Sequence, residues 1–271
     1  MSGARSFEVL EPSGGLHAGV LLHVPHSSQT IPLDVRAGLL LPDAELRREL
    51  LLMTDHHTDA LFARAVERGG AALVNRLSRL VVDPERFPDD ADEPMARVGM
   101  GAVYRRTHDG RPLRSDDSAE RSRLLAAYFQ PYARAAADLV ARSIDRFGHC
   151  LVIDGHSFPS RPLPYEPSQD PNRPALCIGT DPFHTPHSFV QEIERICCGR
   201  GVTTARNMPF TGAYVPNPFW RRERRVTAVM IEVRRDTYMD EATGVRSEAF
   251  AETRALIADI VDTVITAMEA G

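Results

Sequence analysis

The chain contains no lysine, and all 32 of its basic side chains are arginine. This absence excludes a P-loop lysine, a Schiff-base lysine and a lysine general base. Metal, histidine, carboxylate and hydroxyl chemistry remain, and arginine is the side chain left to bind anions.

The sequence also lacks an excess of positive charge and a long apolar run. Its 32 basic and 37 acidic groups give a net charge of -5, so no broad positive field attracts a nucleic acid or an anionic membrane. No segment is apolar for long enough to span a bilayer. The first residues include Glu8 and Glu11 and show no secretory signal. We therefore expect a cytoplasmic protein with no nucleic-acid or membrane partner, while the oligomeric state stays open.

Cysteine is scarce, and its spacing excludes some kinds of site. The four cysteines form no C-x-x-C pair, and a disulfide framework is not expected in a chain of cytoplasmic character. We expect all four to be buried as small apolar side chains.

The composition is that of an ordinary globular protein. The chain has 271 residues, of which 43% are hydrophobic and 25% are charged, so it can bury a sizeable core. Short apolar runs alternate with longer helical periods, which predicts a single α/β domain over residues 1–271. We expect a mixed, largely parallel central sheet flanked by helices. A stretch rich in proline and aspartate predicts a mobile excursion around residues 84–114.

The hydrophobic periodicity predicts individual elements. The predicted strands cover residues 19–24, 71–74, 80–82, 150–153, 175–178 and 226–233. The predicted helices cover residues 43–68 with an interruption near 54–55, residues 115–147 with a bend at Pro131, a segment that begins at Thr185-Pro186, and residues from 247 onward.

Polar side chains follow four of the predicted strands, where open α/β sheets bind ligands. His26 and His156 each lie in a short turn beyond a strand, whereas His23, His17 and His149 are read as hydrogen-bonded structural residues. Two histidines with Asp55 would supply three N/O ligands and leave one position open, which is the pattern of a hydrolytic zinc site.

A competing motif lies at the same strand end. Gly155-His156-Ser157-Phe158-Pro159 approaches the G-x-S-x-G nucleophile elbow, in which Ser157 would be the nucleophile of a serine hydrolase. Proline replaces the last glycine, and a proline-rich loop follows where the elbow needs a helix.

Several motifs together resemble the N-formylglutamate amidohydrolase family, and they occur in family order from about residue 20 to residue 241. They are His23-Val24-Pro25-His26-Ser27-Ser28 with Ile31-Pro32, Thr54-Asp55 with Thr58-Asp59, Ser78-Arg79 with Asp83 and Arg86, Asp154-Gly155-His156-Ser157, Asn207-Met208-Pro209-Phe210-Thr211-Gly212, and Glu232 with Tyr238-Met239-Asp240-Glu241.

The resemblance implies a fold similar to that of zinc carboxypeptidases and hydrolysis of N-formyl-L-glutamate to formate and glutamate, a reaction of histidine breakdown. It places His26, Asp55 and His156 around Zn²⁺ or another divalent metal, with His57 and Asp59 as alternatives to Asp55. It places Glu232 as the general base.

The acidic small-molecule substrate would be bound by arginine and asparagine. We expect Arg79 to stabilise the oxyanion and Arg86, Arg235 and Asn207 to bind the substrate, although the division of roles among the arginines stays open.

The chain departs from the family pattern near these residues. Glu85 stands where the family usually has asparagine, and Met230 and Arg234 stand where it tends to have glutamine and asparagine. A related N-acyl amino acid is therefore an alternative substrate, and a non-catalytic binder of acidic N-acyl metabolites is an alternative function.

Overall fold

The computed structural model describes residues 6–269, which form a single α/β domain around a seven-stranded sheet. The strands are β1 (Phe7–Leu10), β2 (Val20–Val24), β3 (Ala71–Asn75), β4 (Cys150–Phe158), β5 (Leu176–Gly179), β6 (Thr204–Arg206) and β7 (Val226–Arg234), in the order β1-β3-β2-β4-β7-β5-β6. The β1–β3 and β5–β7 pairs are antiparallel, and the other pairs are parallel. The prediction of a mixed, largely parallel sheet is confirmed.

Helices cover both faces of the sheet. They are α1 (Leu33–Arg36), α2 (Asp43–Met53), α3 (Thr58–Leu61), α4 (Arg64–Glu67), α5 (Ser118–Leu124), α6 (Gln130–Phe147), α7 (His187–Gly199) and α8 (Phe250–Glu269). Because side chains alternate along a strand, Leu21 and Val152 face α6, while Leu22 and Ile153 join the core formed with α3, α4, α7 and α8.

The central strand β4 is longer than its apolar run predicted. The strand continues through Asp154, His156 and Phe158, so His156 lies within a buried strand and not in a turn beyond it. The polar residues remain in the strand because β7 pairs with β4 along its whole length, from Cys150 to Phe158.

Two other expectations about elements need correction, and two strands were missed. Residues 80–82 form a turn and not a strand, although Leu80, Val81 and Val82 are buried there. The helix expected at Thr185-Pro186 begins at His187, and the Thr185 hydroxyl donates to the Ala228 carbonyl. The short edge strands β1 and β6 were not predicted.

The segment 84–114 has a core of its own. It contains a 3₁₀-helix, Pro94–Val98, and its buried Met100, Tyr104 and Leu113 pack with residues that include Leu46 and Met53 of α2. Its predicted mobility stays a prediction.

No helix between residues 6 and 269 is long and apolar enough to cross a membrane. Cys150, Cys177 and Cys197 are buried as expected. Cys198 is exposed, which corrects the expectation for that residue, and all four cysteines are free.

Candidate metal centre and active site

The register of the central strands aligns polar side chains on the face that α6 covers. Asp154 and His156 are two residues apart on β4, so they point to the same face. His23 of β2 is paired with Asp154, and Glu232 of β7 is paired with His156. Four buried polar groups from three adjacent strands therefore lie side by side.

His26 and Asp55 join this row from two loops. His26 follows β2, Asp55 follows α2, and the Asp55 amide donates to the His26 carbonyl at 2.9 Å. Asp55 Oδ2 lies 3.0 Å from His156 Nδ1 and 3.6 Å from His26 Nδ1. The three side chains, which we call the metal triad, offer ligand atoms that all lie within 4.8 Å of one another.

Carboxylates bind the other nitrogen of both histidines. Asp83 Oδ1 lies 2.8 Å from His26 Nε2, and Asp154 Oδ1 lies 2.9 Å from His156 Nε2. This pairing leaves both Nδ1 atoms to face Asp55, and His26 Nδ1 has no hydrogen-bond partner among residues 6–269. Two oriented imidazoles and one carboxylate are a donor set that fits Zn²⁺ or a similar divalent cation.

Burial and charge act in opposite directions on the triad. Burial lowers the pKa of His156 and of His26, but the neighbouring carboxylates outweigh it and raise both values above the ordinary one. Burial raises the pKa of Asp55, but His156 and His26 lower it well below its usual range. The pocket therefore favours positive charge next to Asp55, as a cation site requires.

The structure separates Asp55 from the two alternative middle ligands. His57 Nε2 lies 2.9 Å from the Gly244 carbonyl, and Asp59 is paired with Arg76 at 3.1 Å. Neither residue belongs to a group of candidate ligands with His26 or His156.

Glu232 is a buried carboxyl group beside the triad. It lines a cavity that lies next to the triad and is described below. Its Oε2 has no hydrogen-bond partner in the described part of the chain. Burial raises its pKa to about 8, and the carboxylates of Asp55 and Glu85 add to the effect. A carboxyl group that titrates near neutral pH can both accept and return a proton.

Arg79 and Arg86 line the cavity near Asp83. Arg79 Nη2 donates to Asp83 Oδ2 at 2.7 Å and Arg79 Nε donates to the Tyr104 hydroxyl, while Nη1 makes no hydrogen bond within residues 6–269. Arg86 Nε is 3.6 Å from Asp83 Oδ2 and has no hydrogen-bond partner among the described residues. Both arginines line the cavity, and neither uses all of its donors within the described residues.

Arg235 lines the cavity, but its donors bind the protein itself. Nη2 donates to Asp55 Oδ1 at 2.9 Å, Nε donates to Ser157 Oγ at 3.2 Å, and Nη1 donates to the Leu52 carbonyl at 2.5 Å. Arg235 therefore helps to hold Asp55 in place, and the substrate-binding role expected for it stays a prediction.

Asn207 is also occupied elsewhere. Its side-chain amide donates to the Thr180 hydroxyl, its side-chain oxygen accepts from the Thr180 amide, and it does not line the cavity. The substrate-binding role expected for Asn207 is not supported, whereas Pro209, Phe210 and Gly212 after it do line the cavity.

Sequence reasoning did not place Glu85 and His23 in the cluster. Glu85 Oε1 lies 3.0 Å from His156 Nε2, and Glu85 Oε2 lies 3.6 Å from His26 Nδ1. His23 Nδ1 lies 2.8 Å from Asp154 Oδ1, and its ring stacks on Tyr214. The period-two pattern shared by β2 and β4 was the available signal for His23, because it puts His23 opposite Asp154.

The nucleophile elbow is absent around Ser157. Strand β4 runs through this serine to Phe158, so no tight turn into a helix presents the hydroxyl. Ser157 Oγ accepts from Arg235, and no histidine is hydrogen-bonded to it in the described chain.

The cluster opens into a cavity of about 930 Å³. Besides the polar residues above, its lining includes the apolar side chains of Phe129, Ala133, Ala137 and Trp220. The cavity therefore combines one polar, charged end with an apolar wall, as small-molecule sites do.

Comparison with known proteins identifies the family of this chain. Residues 18–239 match the family model of N-formylglutamate amidohydrolase. An N-formylglutamate deformylase from Pseudomonas aeruginosa is 31% identical over 255 residues, which cover 91% of this chain and 92% of that protein. An N-formylglutamate deformylase from Pseudomonas putida is 27% identical over 239 residues, with 82% of each chain covered.

A solved structure shares the fold over the whole length. The crystal structure of an N-formylglutamate amidohydrolase from Ralstonia eutropha JMP134 superposes with a TM-score of 0.83 at 24% identity, covering 99% of this chain and 100% of that chain. A metallo-carboxypeptidase from Burkholderia cenocepacia matches with a TM-score of only 0.35, which carries no argument about similarity to that fold.

Proposed function

Because this chain belongs to the N-formylglutamate amidohydrolase family, we propose that it hydrolyses N-formyl-L-glutamate to formate and glutamate with a bound divalent cation. The observation that carries the proposal is the convergence of His26, Asp55 and His156, whose ligand atoms lie within 4.8 Å of one another beside the buried Glu232.

The metal triad would hold the cation, with Zn²⁺ the ion that suits two imidazoles and a carboxylate best. When bound, such an ion supplies Lewis-acid chemistry that polarises an acyl oxygen and lowers the pKa of water toward about 7. Asp83 and Asp154 hold the two histidine rings with Nδ1 facing Asp55.

Glu232 would move the proton during the reaction. The attacking water must lose a proton, and the amide nitrogen must gain one before it can leave. Glu232 lines the cavity with Oε2 unpartnered among the described residues, and its raised pKa suits both transfers. We therefore assign general-base and then general-acid roles to one carboxyl group.

Arg79 and Arg86 would bind the negative charge of the substrate. Their free donors face the same cavity as Glu232 and belong to guanidinium groups fixed near Asp83. One of them would stabilise the oxyanion that develops on the acyl oxygen when water adds to the acyl carbon, and the other would pair with a carboxylate of the substrate.

The acyl group that we propose is removed is formyl. The cavity of about 930 Å³ offers more room than a formyl group occupies, and Glu85 lies within it beside both histidines. A related N-acyl amino acid therefore remains an alternative substrate. We also propose that the reaction serves histidine breakdown in the cytoplasm, in line with the family resemblance.

An assay of purified protein on N-formyl-L-glutamate, N-acetyl-L-glutamate and N-formyl-L-leucine tests the proposal. We expect formate release from N-formyl-L-glutamate and a much lower kcat/KM for the formyl-leucine control, which lacks the second carboxylate. Tight calorimetric binding of N-formyl-L-glutamate with no product would instead support a non-catalytic binder. Loss of activity when a serine-directed acylating reagent labels Ser157 would support a serine hydrolase.

A further inference from the structure

A second cavity, separate from the catalytic one, has arginine at four of its eight lining residues. It has a volume of about 320 Å³ and shares no lining residue with the larger cavity. Its charged lining consists of four arginines and one carboxylate: Arg97, Arg105, Arg106, Arg114 and Asp116. The surplus of positive charge is unusual in a chain whose net charge is -5.

Arg114 is the buried member of this group. Its residue is only 8% exposed, yet no carboxylate lies within 4.0 Å of its guanidinium in residues 6–269. One Nη donates to the Leu80 carbonyl, and Nε has no hydrogen-bond partner in that part of the chain. Burial lowers the pKa of Arg114 to about 10, because nothing nearby neutralises it fully.

The other arginines are largely unneutralised too. Arg105 is paired with Asp116 at 2.6 Å, which accounts for the only carboxylate in the lining. Arg97 and Arg106 have no carboxylate within 4.0 Å among the described residues, and Arg106 Nη1 donates to the Gly110 carbonyl instead. Three of the four guanidinium groups therefore lack a counter-ion within the described chain.

We propose that this cavity binds a small molecule with at least two negatively charged oxygen atoms, either a phosphate or a polycarboxylate. The planar guanidinium fork matches two oxygens of such a group, and several forks around one anion strengthen the binding. A ligand oxygen near Arg114 would also offset the charge of its buried guanidinium, which pairs with no carboxylate of the described residues.

Two residues that line the second cavity are linked to residues that line the catalytic cavity or contact them. Arg105 directly follows Tyr104, whose hydroxyl donates to Asp83 at 2.6 Å, and Arg114 holds the carbonyl of Leu80, which follows Arg79. A bound anion would therefore stabilise the folded segment between residues 80 and 114, and the melting temperature would rise with ligand concentration.

Calorimetry and thermal unfolding at fixed ionic strength test the proposal with inorganic phosphate, pyrophosphate and succinate as probes. The test variant is R97Q/R106Q, which changes two exposed arginines and leaves the buried Arg114 in place. The matched control is R222Q, an exposed arginine outside both cavities.

We expect saturable binding of at least one probe to the unchanged protein and to R222Q, with a Kd at least tenfold higher in R97Q/R106Q. The preferred probe shows whether phosphate or carboxylate is the natural group. Anions that enter the catalytic cavity would bind all three proteins equally, so equal binding would overturn the proposal. Absence of saturable binding by any of the three probes would overturn it as well.

Discussion

Each histidine of the metal triad has one ring nitrogen next to a carboxylate, and this leaves the other nitrogen to face Asp55. Asp83 Oδ1 lies 2.8 Å from His26 Nε2, and Asp154 Oδ1 lies 2.9 Å from His156 Nε2. Such carboxylates fix the ring orientation and raise the basicity of the ligand. Asp83 and Asp154 are therefore expected to influence metal binding through the histidines that they orient.

The Asp83→Asn substitution tests this dependence. It removes the charge beside His26 Nε2 and should weaken zinc binding roughly 10- to 100-fold, the usual effect of losing such a partner. Competition with a chelating dye measures the Kd. Asp59→Asn is the matched control, because Asp59 pairs with Arg76 away from the triad. An unchanged Kd in Asp83→Asn would show that Asp83 does not orient the ligand.

The Glu232→Gln substitution tests the proton-transfer role. The amide has nearly the shape of the carboxyl group but cannot accept a proton, so kcat/KM should fall roughly 10²-fold or more. Zinc content should stay the same, since Glu232 lies outside the triad. Full activity in the variant would remove Glu232 from the mechanism, and loss of zinc would make it a ligand.

At the scale of secondary structure, β4 presents polar side chains on one face and packs tightly on the other. Gly155 lies between Asp154 and His156, and a Cβ atom there would be 2.9 Å from Cδ2 of the buried Phe62 ring. Glycine is therefore required for the strand to approach the helices behind the sheet while its opposite face carries the site.

The Gly155→Ala substitution should consequently be destabilising. Overpacking against the rigid Phe62 ring should cost about 1–3 kcal/mol of the free energy of unfolding, measured by urea denaturation. Gly199→Ala at the end of α7 is the control, because no atom lies within 4 Å of its added Cβ. It should leave stability unchanged or raise it. Equal stability of the two variants would contradict the close approach.

A side-chain hydrogen bond between Glu49 and His108 joins α2 to the loop after Tyr104. His108 Nδ1 lies 2.6 Å from Oε2 of the buried Glu49, and this hydrogen bond raises the pKa of His108 above its ordinary 6.5 while burial opposes the shift. Because the folded pKa exceeds the unfolded one, protonated His108 contributes its full stability below about pH 6.5. The contribution is lost as pH rises through the folded pKa.

The His108→Gln substitution should therefore lower the melting temperature more at pH 5.5 than at pH 9. His17→Gln is the control, since His17 is exposed and has no carboxylate partner among residues 6–269. Its effect should be the same at both pH values. A pH-independent effect of His108→Gln would contradict the charge-assisted link.

At the scale of the whole molecule, the mixed, largely parallel character of the sheet was predictable from the alternation of strands and helices, whereas the edge strands β1 and β6 were not predicted. The rule that ligands bind at the carboxyl ends of strands predicted that His26 and His156 lie close together, although His156 lies within β4 and Asp55 follows a helix. The extension of β4 through Asp154 and His156 was not predictable, since pairing with β7 overrides the local polarity.

The differences between the expected and the observed contacts have a common physical cause. A sequence shows that Arg235 and Asn207 carry donors, but it does not show that Asp55 and Thr180 already accept from them. The run Leu80 to Val82 is apolar because it is buried in a turn, and apolar character alone does not separate a turn from a strand. Tertiary contacts decide both which donors are already occupied and which conformation an apolar run adopts.

A zinc titration of metal-depleted protein, followed by formate release from N-formyl-L-glutamate, tests the central claim most directly. We predict that the depleted protein is inactive, that activity rises linearly to one equivalent of zinc per chain, and that His156→Ala neither binds the ion nor recovers. Full activity in protein shown to contain no metal would contradict the account.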